Sequence, residues 1–524
     1  MILLNNINLP LKTDFSSLKP IVAKELKTDI QYIKSASLYK KSVDARQRDK
    51  VHFCCSFLVE ASGEDRLIAR SKKAQRYNER KYTFKKVDFC PEHRPVIVGF
   101  GPAGMFAALT LAIAGLKPIV LERGADADTR KNDVESFLAG GKLNENSNVQ
   151  FGEGGAGTFS DGKLNTGIKD IRCRTVLEKL YEFGAPKHIL TDAKPHIGTD
   201  ILIDVVKNLR CKVEELGGEV RFNCRLDRII TQNGKVTAVI ANGEEIKCDN
   251  IILACGHSAR DTFAMLKEIG IEIERKPFAM GVRIEHLQCD IDRALYGKYA
   301  GHPALSAADY KLAVHLKNGR GVYTFCMCPG GEVINASSEE NMLAINGMSN
   351  SRRDGQNANS ALLVNVDPTD FEGDDVLAGC ELQRKIEQKA YNIASGAVPT
   401  VTLGEFLYGR PDTTEKVKPT VKPNTVNADF YDIFPRFIVD SLKEGIPLFD
   451  KKLPGFADSA AILSAPETRS SSPIRILRNE NGQSVNTEGL FPCGEGAGYA
   501  GGIMSAAVDG IRTAEALIDA IKQG

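Results

Sequence analysis

A glycine-rich turn between a short apolar strand and an apolar helix limits most strongly what this chain can fold into. Residues 95–104 read Pro-Val-Ile-Val-Gly-Phe-Gly-Pro-Ala-Gly, in which Gly99, Gly101 and Gly104 have the GxGxxG spacing. In such a turn the first glycine permits the tight bend, the second lets the backbone approach a pyrophosphate, and the third lets the helix pack on the strand. The pattern therefore predicts a phosphate-binding turn at a helix N-terminus.

A second strand and an acidic residue follow this turn at the separation that a dinucleotide site needs. Residues 118–121, Pro-Ile-Val-Leu, form an apolar run that ends at Glu122. An acid about 20 residues after the glycine turn is placed to accept hydrogen bonds from a ribose. Glu122, with Arg123 beside it, is therefore predicted to bind the cofactor, and the segment is predicted to be a Rossmann-type βαβ unit.

The length of the chain predicts more than one domain. Its 524 residues exceed the roughly 250–300 residues at which single cores stop growing, so we expect two or three domains. Hydrophobic residues at 42% and charged residues at 26% are typical of folded globular proteins. Because the sequence shows no apolar run of roughly 18 residues and no signal-peptide pattern, we expect a cytoplasmic protein without a membrane span.

The cysteines and histidines predict neither a disulfide framework nor a metal site. Thirteen cysteines are an odd number without a repeating spacing, which favours reduced thiols. The sequence has no CxxC pair, and its eight histidines include no HxH or HxxxH arrangement, so no metal is predicted. Cys326 and Cys328 could form a redox pair, although free cysteine more often behaves as a small buried hydrophobe.

The first 90 residues carry an excess of basic side chains. They contain 19 Lys and Arg against 10 Asp and Glu, whereas the whole chain has a net charge of +1. The basic residues are densest between Arg66 and Lys86, where Glu79 is the only acid. Such a patch could bind nucleic acid, or it could be a solvated face or a surface docked on an acidic neighbour. Pro91 and Pro95 predict the end of this small α+β domain.

A second glycine-rich segment lies at residues 489–503, which read Gly-Leu-Phe-Pro-Cys-Gly-Glu-Gly-Ala-Gly-Tyr-Ala-Gly-Gly-Ile. The segment reads as a strand, a turn and the start of a helix, and it resembles the C-terminal flavin motif of the glutathione-reductase-like flavoproteins. The resemblance implies that Glu495, in the pair Gly494-Glu495, bonds the ribityl chain of FAD. It also places the helix N-terminus at residues 501–503 beside the flavin N1 and C2 carbonyl, where the positive dipole end stabilises an anionic reduced ring.

Residues 249–260 form a third strand followed by a turn, with the sequence Asp-Asn-Ile-Ile-Leu-Ala-Cys-Gly-His-Ser-Ala-Arg. This segment resembles the ATG strand-and-turn of the same flavoproteins, with Cys255 at the position where Thr is common, and it places Gly256 at the cofactor. The three motifs have the order and spacing of an FAD-binding domain. FAD is therefore the predicted cofactor.

A loop at residues 150–167 is dense in glycine and in polar side chains, which suits close approach to a flavin. Together with residues 346–349 and 466–475, this loop resembles the bacterial family of FAD-dependent or NAD(FAD)-utilising dehydrogenases, and the resemblance covers essentially the whole chain. It implies a fold and a cofactor more firmly than it implies a reaction.

The predicted cofactor contacts come from all of these motifs. They are Gly99, Gly101, Pro102, Ala103, Gly104, Glu122, Arg123, Thr158, Ser160, Asp161, Gly256, Gly494, Glu495, Gly501, Gly502 and Ile503. In related flavoproteins the loop that corresponds to residues 150–167 continues toward the isoalloxazine, so Lys163 is expected beside the ring. Lys163 or Arg469 is the candidate catalytic cation, which would hold negative charge on the reduced flavin or clamp an anionic substrate.

The expected fold class is α/β. We expect a Rossmann-type FAD-binding domain of the glutathione-reductase-like kind, with an inserted α+β substrate domain and a small N-terminal α+β domain. The predicted boundaries are residues 1–90 for the N-terminal domain, 91–270 with 455–524 for the FAD-binding domain, and 271–454 for the inserted domain.

The predicted activity is that of an FAD-dependent oxidoreductase, in which an unidentified small substrate delivers hydride or electrons through flavin N5. NADH or NADPH could serve as a transient electron donor. Two alternatives stay open at this point. One is a flavin-dependent RNA-modifying protein, suggested by the basic N-terminal patch, and the other is a non-enzymatic FAD-holding electron carrier or scaffold.

Overall fold

The computed structural model describes residues 1–523 and begins with a small α+β unit. The elements of this unit are β1 (Ile2–Leu9), α1 (Lys19–Leu26), β2 (Ile33–Asp44), β3 (His52–Ala61), α2 (Glu64–Arg70) and β4 (Ala74–Arg76). Its strands pair antiparallel in the order β2-β3-β1-β4. This βαββαβ order is that of a ferredoxin-like unit.

The basic segment after β4 is docked on the last helix of the chain, α12 (Ile503–Gln523). The Tyr82 hydroxyl donates a hydrogen bond to Glu515 at 2.7 Å, and Lys85 Nζ lies 2.6 Å from a carboxylate oxygen of Asp519. Part of the basic excess therefore faces acidic side chains of another part of the protein.

The second unit is built on a five-stranded parallel sheet in the order β23-β11-β5-β6-β7. A three-stranded antiparallel meander, β10-β9-β8, precedes β11 in the chain. Besides α12, the elements of this unit are β5 (Val96–Val98), α3 (Pro102–Ala114), β6 (Ile119–Leu121), α4 (Ala127–Leu138), α5 (Arg172–Glu182), α6 (Thr199–Glu215), β7 (Glu219–Arg221), β8 (Leu226–Gln232), β9 (Lys235–Ala241), β10 (Glu244–Lys247), β11 (Ile251–Leu253), α7 (Arg260–Glu268) and β23 (Leu490–Pro492).

Helices α3 and α12 cross at very short range on one face of this sheet. The α3 sequence is almost entirely apolar, and the helix is buried, as expected for a helix enclosed on all sides. At the crossing, a Cβ atom on Gly510 would overlap the carbonyl oxygen of Ala103. Glycine at position 510 therefore sets the distance between the two helices.

The third unit contains a seven-stranded sheet in the order β14-β15-β18-β13-β21-β19-β20. The elements of this unit are β12 (Ile273–Arg275), β13 (Phe278–Leu287), α8 (Gln288–Tyr296), β14 (Ala313–His315), β15 (Gly321–Cys328), β16 (Glu332–Asn335), β17 (Ile345–Met348), β18 (Asn357–Val366), α9 (Ala378–Ala394), β19 (Val398–Thr402), α10 (Leu403–Tyr408), β20 (Thr425–Asn427), α11 (Arg436–Asp450), β21 (Ile462–Glu467) and β22 (Ile474–Ile476).

The inserted sheet extends further along the chain than the sequence predicted. The predicted boundary at residue 454 assigned β21 to the FAD-binding domain, but β21 pairs with β13 and β19 of the inserted sheet. The return to the parallel sheet therefore follows Glu467. No helix within residues 1–523 is both long enough and apolar enough to cross a lipid bilayer.

Replacing Gly510 with alanine tests the close crossing of α3 and α12. G510A should destabilise the folded protein by about 1–3 kcal/mol, because the new methyl group must push the helices apart. The matched control is G167A, since Gly167 has no atom within 4 Å of a Cβ built there. Thermal unfolding of both variants would measure the difference, and an unfolding midpoint of G510A equal to that of G167A would contradict the packing described.

Candidate functional site

The candidate site is a crevice where the strand order of the parallel sheet reverses, at β5. A cavity of about 1580 Å³, counted out to open solvent, runs along the carboxyl ends of the strands. It is lined by the turns after β5, β6, β11 and β23 and, at its far end, by residues of β15, β17 and β21. The cavity therefore lies between the parallel sheet and the inserted unit.

Main-chain contacts explain the glycines of the turn between β5 and α3. Gly99 has a φ of 95°, and a Cβ there would overlap the carbonyl oxygen of Ala254. A Cβ on Gly104 would overlap the carbonyl oxygen of Gly99, so this glycine lets α3 approach the turn. A Cβ on Gly155 would lie 2.8 Å from Gly101 Cα. The cavity floor is therefore bare main chain at the N-terminus of α3, which fits a pyrophosphate.

Glu122 is a buried acceptor that ties three segments together. Its carboxylate receives hydrogen bonds from the backbone N–H groups of Phe100, Gly124 and Gly152, at 2.8, 2.9 and 2.9 Å. A carboxylate has about four acceptor positions, so these bonds leave room for one more donor. Glu122 also lines the cavity, where a ribose hydroxyl could supply that donor. Its predicted role as a ribose ligand stays a prediction.

Arg123 lines the same end of the cavity and is held on two sides. Its guanidinium lies 4.3 Å from the centroid of the Phe151 ring and forms an ion pair with Asp261. The side chain therefore has a fixed position next to the site predicted for the adenosine half of the cofactor.

Arg130, which the sequence motifs did not reveal, fixes the glycine-rich loop. This fully buried α4 residue donates to the carbonyl oxygens of Asn148, Val149, Gly152 and Glu153. Burial lowers the pKa of Arg130 to about 10, and its guanidinium remains charged at neutral pH. Its bonds hold residues 148–153 against the glycine turn.

The loop residues predicted near the flavin ring form a connected polar group. Asp161 forms an ion pair with Arg353, whose Nε donates at 2.8 Å, and it accepts a hydrogen bond from the Ser349 hydroxyl. Lys163 Nζ donates to the carbonyl oxygen of Met327 and lies 3.9 Å from Asp161 Oδ2. Lys163, Asp161 and Ser160 all line the cavity.

Arg469, the second candidate catalytic cation, has protein partners on all three guanidinium nitrogens. It makes a two-point ion pair with Glu387 at 3.1 and 2.8 Å and donates to the Ser338 hydroxyl. Burial opposes ionisation of Glu387, but Arg260 and Arg469 outweigh it and hold the pKa of that carboxyl well below its usual range. These contacts favour a structural role for Arg469, and a catalytic role stays a prediction.

The C-terminal motif places its acid and its helix N-terminus at the cavity. Glu495 lines the cavity, and its Oε1 lies 3.4 Å from His257 Nδ1. Gly501 and Gly502 line it too, and a Cβ at either position would meet no atom within 4 Å. The open space beside a helix N-terminus fits the ring end of a flavin. Asp509, which the motifs did not reveal, accepts from the Gly494 N–H at 2.8 Å.

The cavity gathers most of the predicted cofactor contacts. Those that line it are Gly99, Gly101, Pro102, Ala103, Glu122, Arg123, Ser160, Asp161, Gly256, Glu495, Gly501, Gly502 and Ile503. Three predicted contacts lie behind its wall: Gly104 packs on Gly99, Thr158 donates to the carbonyl oxygen of Glu153, and Gly494 packs on Ala103. These three residues shape the wall.

The far end of the cavity contains residues that are not among the predicted cofactor contacts. Asn346, Gly347 and Glu467 line it together with Cys326 and Cys328. Cys326 is exposed to the cavity, where partial loss of hydration raises the pKa of its thiol, and burial raises the pKa of Cys328, so both thiols are neutral near pH 7. Whether the two cysteines exchange electrons stays a prediction. Within residues 1–523 no cluster of three or more His, Cys, Asp or Glu side chains could hold a metal ion.

Comparison with known proteins identifies the family. A relative in Clostridium beijerinckii, described as an uncharacterized protein, is 46% identical over 525 residues, and the match covers 98% of each chain. The chain belongs to the same protein family as this relative. FixC from Escherichia coli is 26% identical over 197 residues, which are 37% of this chain and 42% of FixC.

Family models describe three parts of the chain. Residues 277–470 match the C-terminal domain of FAD-dependent proteins, residues 133–271 match flavin-containing amine oxidoreductases, and residues 1–60 match a domain of unknown function. The protein is an FAD-dependent oxidoreductase with FAD as its cofactor. These models do not name the glutathione-reductase-like flavoproteins, so that finer assignment stays a prediction.

Solved structures of flavoenzymes also align with the chain. The flavin-dependent brominase Bmp2 aligns with a TM-score of 0.39 and 14% identity, covering 82% of this chain and 80% of Bmp2. Glycine oxidase from Bacillus cereus aligns with a TM-score of 0.33 and 10% identity, covering 82% of this chain and 98% of the oxidase.

Removing the Glu495 carboxylate tests the ribityl end of the site. E495A should weaken FAD binding about tenfold to a hundredfold, because a hydrogen bond to a charged acceptor contributes about 1.5–3 kcal/mol. The control is E480A, which removes an exposed glutamate from a nearby turn. Titration of the apoproteins with FAD, followed by flavin fluorescence, measures both affinities. Equal dissociation constants for E495A and the parent would show that Glu495 does not bind the ribityl chain.

Proposed function

We propose that FAD lies along this cavity with its isoalloxazine at the inserted unit, where a small substrate delivers hydride or electrons to flavin N5. The main support for this proposal is the path of the cavity, which connects the parallel sheet to the inserted unit. It begins at the bare glycine turn before α3 and ends at Lys163 of the glycine-rich loop and at polar side chains of the inserted unit, among them Asn346 and Glu467. A pocket lined by polar groups from a second unit suits substrate binding better than mere storage of a cofactor.

The phosphates and the adenosine half would be held by the parallel sheet. The exposed N–H groups at the start of α3, next to Gly101, and the positive end of the helix dipole favour the pyrophosphate. Glu122 would accept a ribose hydroxyl with its remaining acceptor position. This is the arrangement expected of a glutathione-reductase-like FAD-binding domain, and the parallel sheet order supports it.

The ring half would be held between two positive groups. Bound FAD supplies a two-electron acceptor whose reduced form carries negative charge. The N-terminus of α12, at Gly502 and Ile503, and the ammonium of Lys163 line this end of the cavity. Both stabilise negative charge, so the protein favours the reduced ring.

The RNA-modifying alternative gains no support from the basic patch. Lys73 lies 3.2 Å from Glu25, and Arg76 forms an ion pair with Asp65, in addition to the contact of Lys85 with α12. These pairs reduce the charge available to a polyanion, and the contact of Lys85 with Asp519 of α12 supports the hypothesis of a docked basic surface.

Anaerobic visible spectra of the purified protein test the proposed function first. The parent should be yellow after FAD loading and should bleach on addition of dithionite. Bleaching by NADH or NADPH would identify a nicotinamide nucleotide as donor, and bleaching by dithionite alone would direct the search to other metabolites or to proteins. A preparation that stays colourless after soaking with FAD would refute the proposed function.

Neutralising Lys163 tests the placement of the ring. K163M should lower the midpoint potential of bound FAD, because a cation about 4 Å from the reduced ring stabilises it by about 1–4 kcal/mol. FAD binding should change much less, since Lys163 is not predicted to contact the phosphates. The control is K169M, which removes an exposed lysine from the following loop. Anaerobic equilibration with indicator dyes measures the potentials, and equal values for K163M and K169M would place the ring elsewhere.

A further inference from the structure

Glu467 is a buried carboxyl at the far end of the cavity. It lies in the segment at residues 466–475 that resembles the FAD-dependent dehydrogenase family, but it is not among the predicted cofactor contacts. It ends β21, where it lies opposite Gly281 of β13, and it is 3% exposed. It nevertheless lines the cavity. A buried acid at the wall of a cofactor cavity costs free energy unless it has a partner, so its surroundings indicate its role.

The partner of Glu467 is Arg283, which is fully buried behind the cavity wall. Arg283 Nε lies 3.0 Å from Glu467 Oε2, although the two atoms are not oriented for a hydrogen bond. The other end of the guanidinium donates to the carbonyl oxygen of Cys326 at 3.1 Å. A Cβ on Gly347 would lie 2.6 Å from Arg283 Cζ, so glycine is needed there to make room for the guanidinium.

Arg283 is therefore held in place, and Glu467 Oε2 is enclosed without a hydrogen-bond donor among the described residues. Structural ion pairs in this protein look different. The Arg260 and Arg469 pairs with Glu387 use aligned two-point hydrogen bonds on both carboxylate oxygens. The positive charge of Arg283 lies close to Glu467, but no hydrogen bond to Oε2 stabilises the ionised carboxylate.

Burial raises the pKa of Glu467 to about 7, and the attraction of Arg283 opposes that rise without cancelling it. The other titratable groups near this pair are Cys326, Cys328, Tyr310, Lys163 and Glu285. Burial raises the pKa of Cys328 and of Tyr310, and partial loss of hydration raises the pKa of Cys326, so these three are uncharged near neutral pH. The charge that acts on Glu467 is then that of Arg283.

We propose that Glu467 is the proton-accepting residue of the reduction step, taking the proton of a substrate hydroxyl or amine as the neighbouring carbon gives its hydride to the bound flavin. The inference rests on the proposed function. In this step the C–H bond breaks and its electron pair goes to the flavin, which is reduced. The O–H or N–H bond breaks, its proton goes to the Glu467 carboxylate, and a C=O or C=N bond forms. The implied substrate class is an alcohol or an amine.

Negative charge on the reduced ring would further favour protonated Glu467, since like charges raise the pKa of a carboxyl. Reduction by electrons alone should therefore also draw a proton onto Glu467. This gives a test that needs no substrate. The number of protons taken up per FAD reduced can be measured anaerobically in weakly buffered solution with a pH indicator.

The parent holoprotein, reduced electrochemically slightly above pH 7, should take up about half a proton more per FAD than E467Q does, because a carboxyl with a pKa of about 7 is already about half protonated there before reduction. E467D keeps a carboxyl and should restore most of that extra uptake. E332Q, which removes an exposed glutamate from β16, should behave as the parent does. The visible spectrum of each variant reports its FAD content, so a variant that fails to fold is recognised before its protons are counted.

The outcomes separate the two proposals. A parent that binds no FAD refutes the proposed function. A parent that binds FAD and is reduced, but takes up the same number of protons as E467Q, overturns only the role of Glu467. Loss of the extra uptake in E467Q with its return in E467D supports proton uptake by this carboxyl, because a merely structural role would leave the count unchanged.

Discussion

The hydrogen bonds from three backbone N–H groups to the Glu122 carboxylate are the constraint on which the cavity depends. They bring the glycine turn, the end of β6 and the loop around Gly152 to one point. Main chain can approach this closely only without side chains, and a Cβ on Gly124 would lie 2.5 Å from Gly152 Cα. Removing the Glu122 carboxylate would leave these three buried N–H groups without an acceptor, which would destabilise all three segments.

The parts of the site that could be predicted from sequence are those made by local chain geometry. The GxGxxG turn, Glu122 and the helix start at Ile503 each follow from a strand, a turn and a helix that are contiguous in the chain. The family models confirm FAD as the cofactor that these motifs predicted.

The parts that could not be predicted depend on contacts between distant segments. Arg130 and Arg353 look like ordinary surface residues in the sequence, and only the folded chain places them against the loop at residues 148–161. Glu467 lies in an apolar strand whose partner, Arg283, comes from another strand of the inserted sheet. The domain boundary at residue 454 was wrong for the same reason, since nothing local distinguishes β21 from a strand of the FAD-binding domain.

The crossing of α3 and α12 also affects how the newly synthesised chain folds. The whole inserted sheet lies between Ala103 and Gly510 in the chain, so this contact has very high sequence separation. Non-local contacts of this kind form late and slowly. Until α12 arrives, α3 must leave apolar surface uncovered, which makes the nascent chain prone to aggregation. Cofactor that binds the finished cavity then favours the assembled state by mass action.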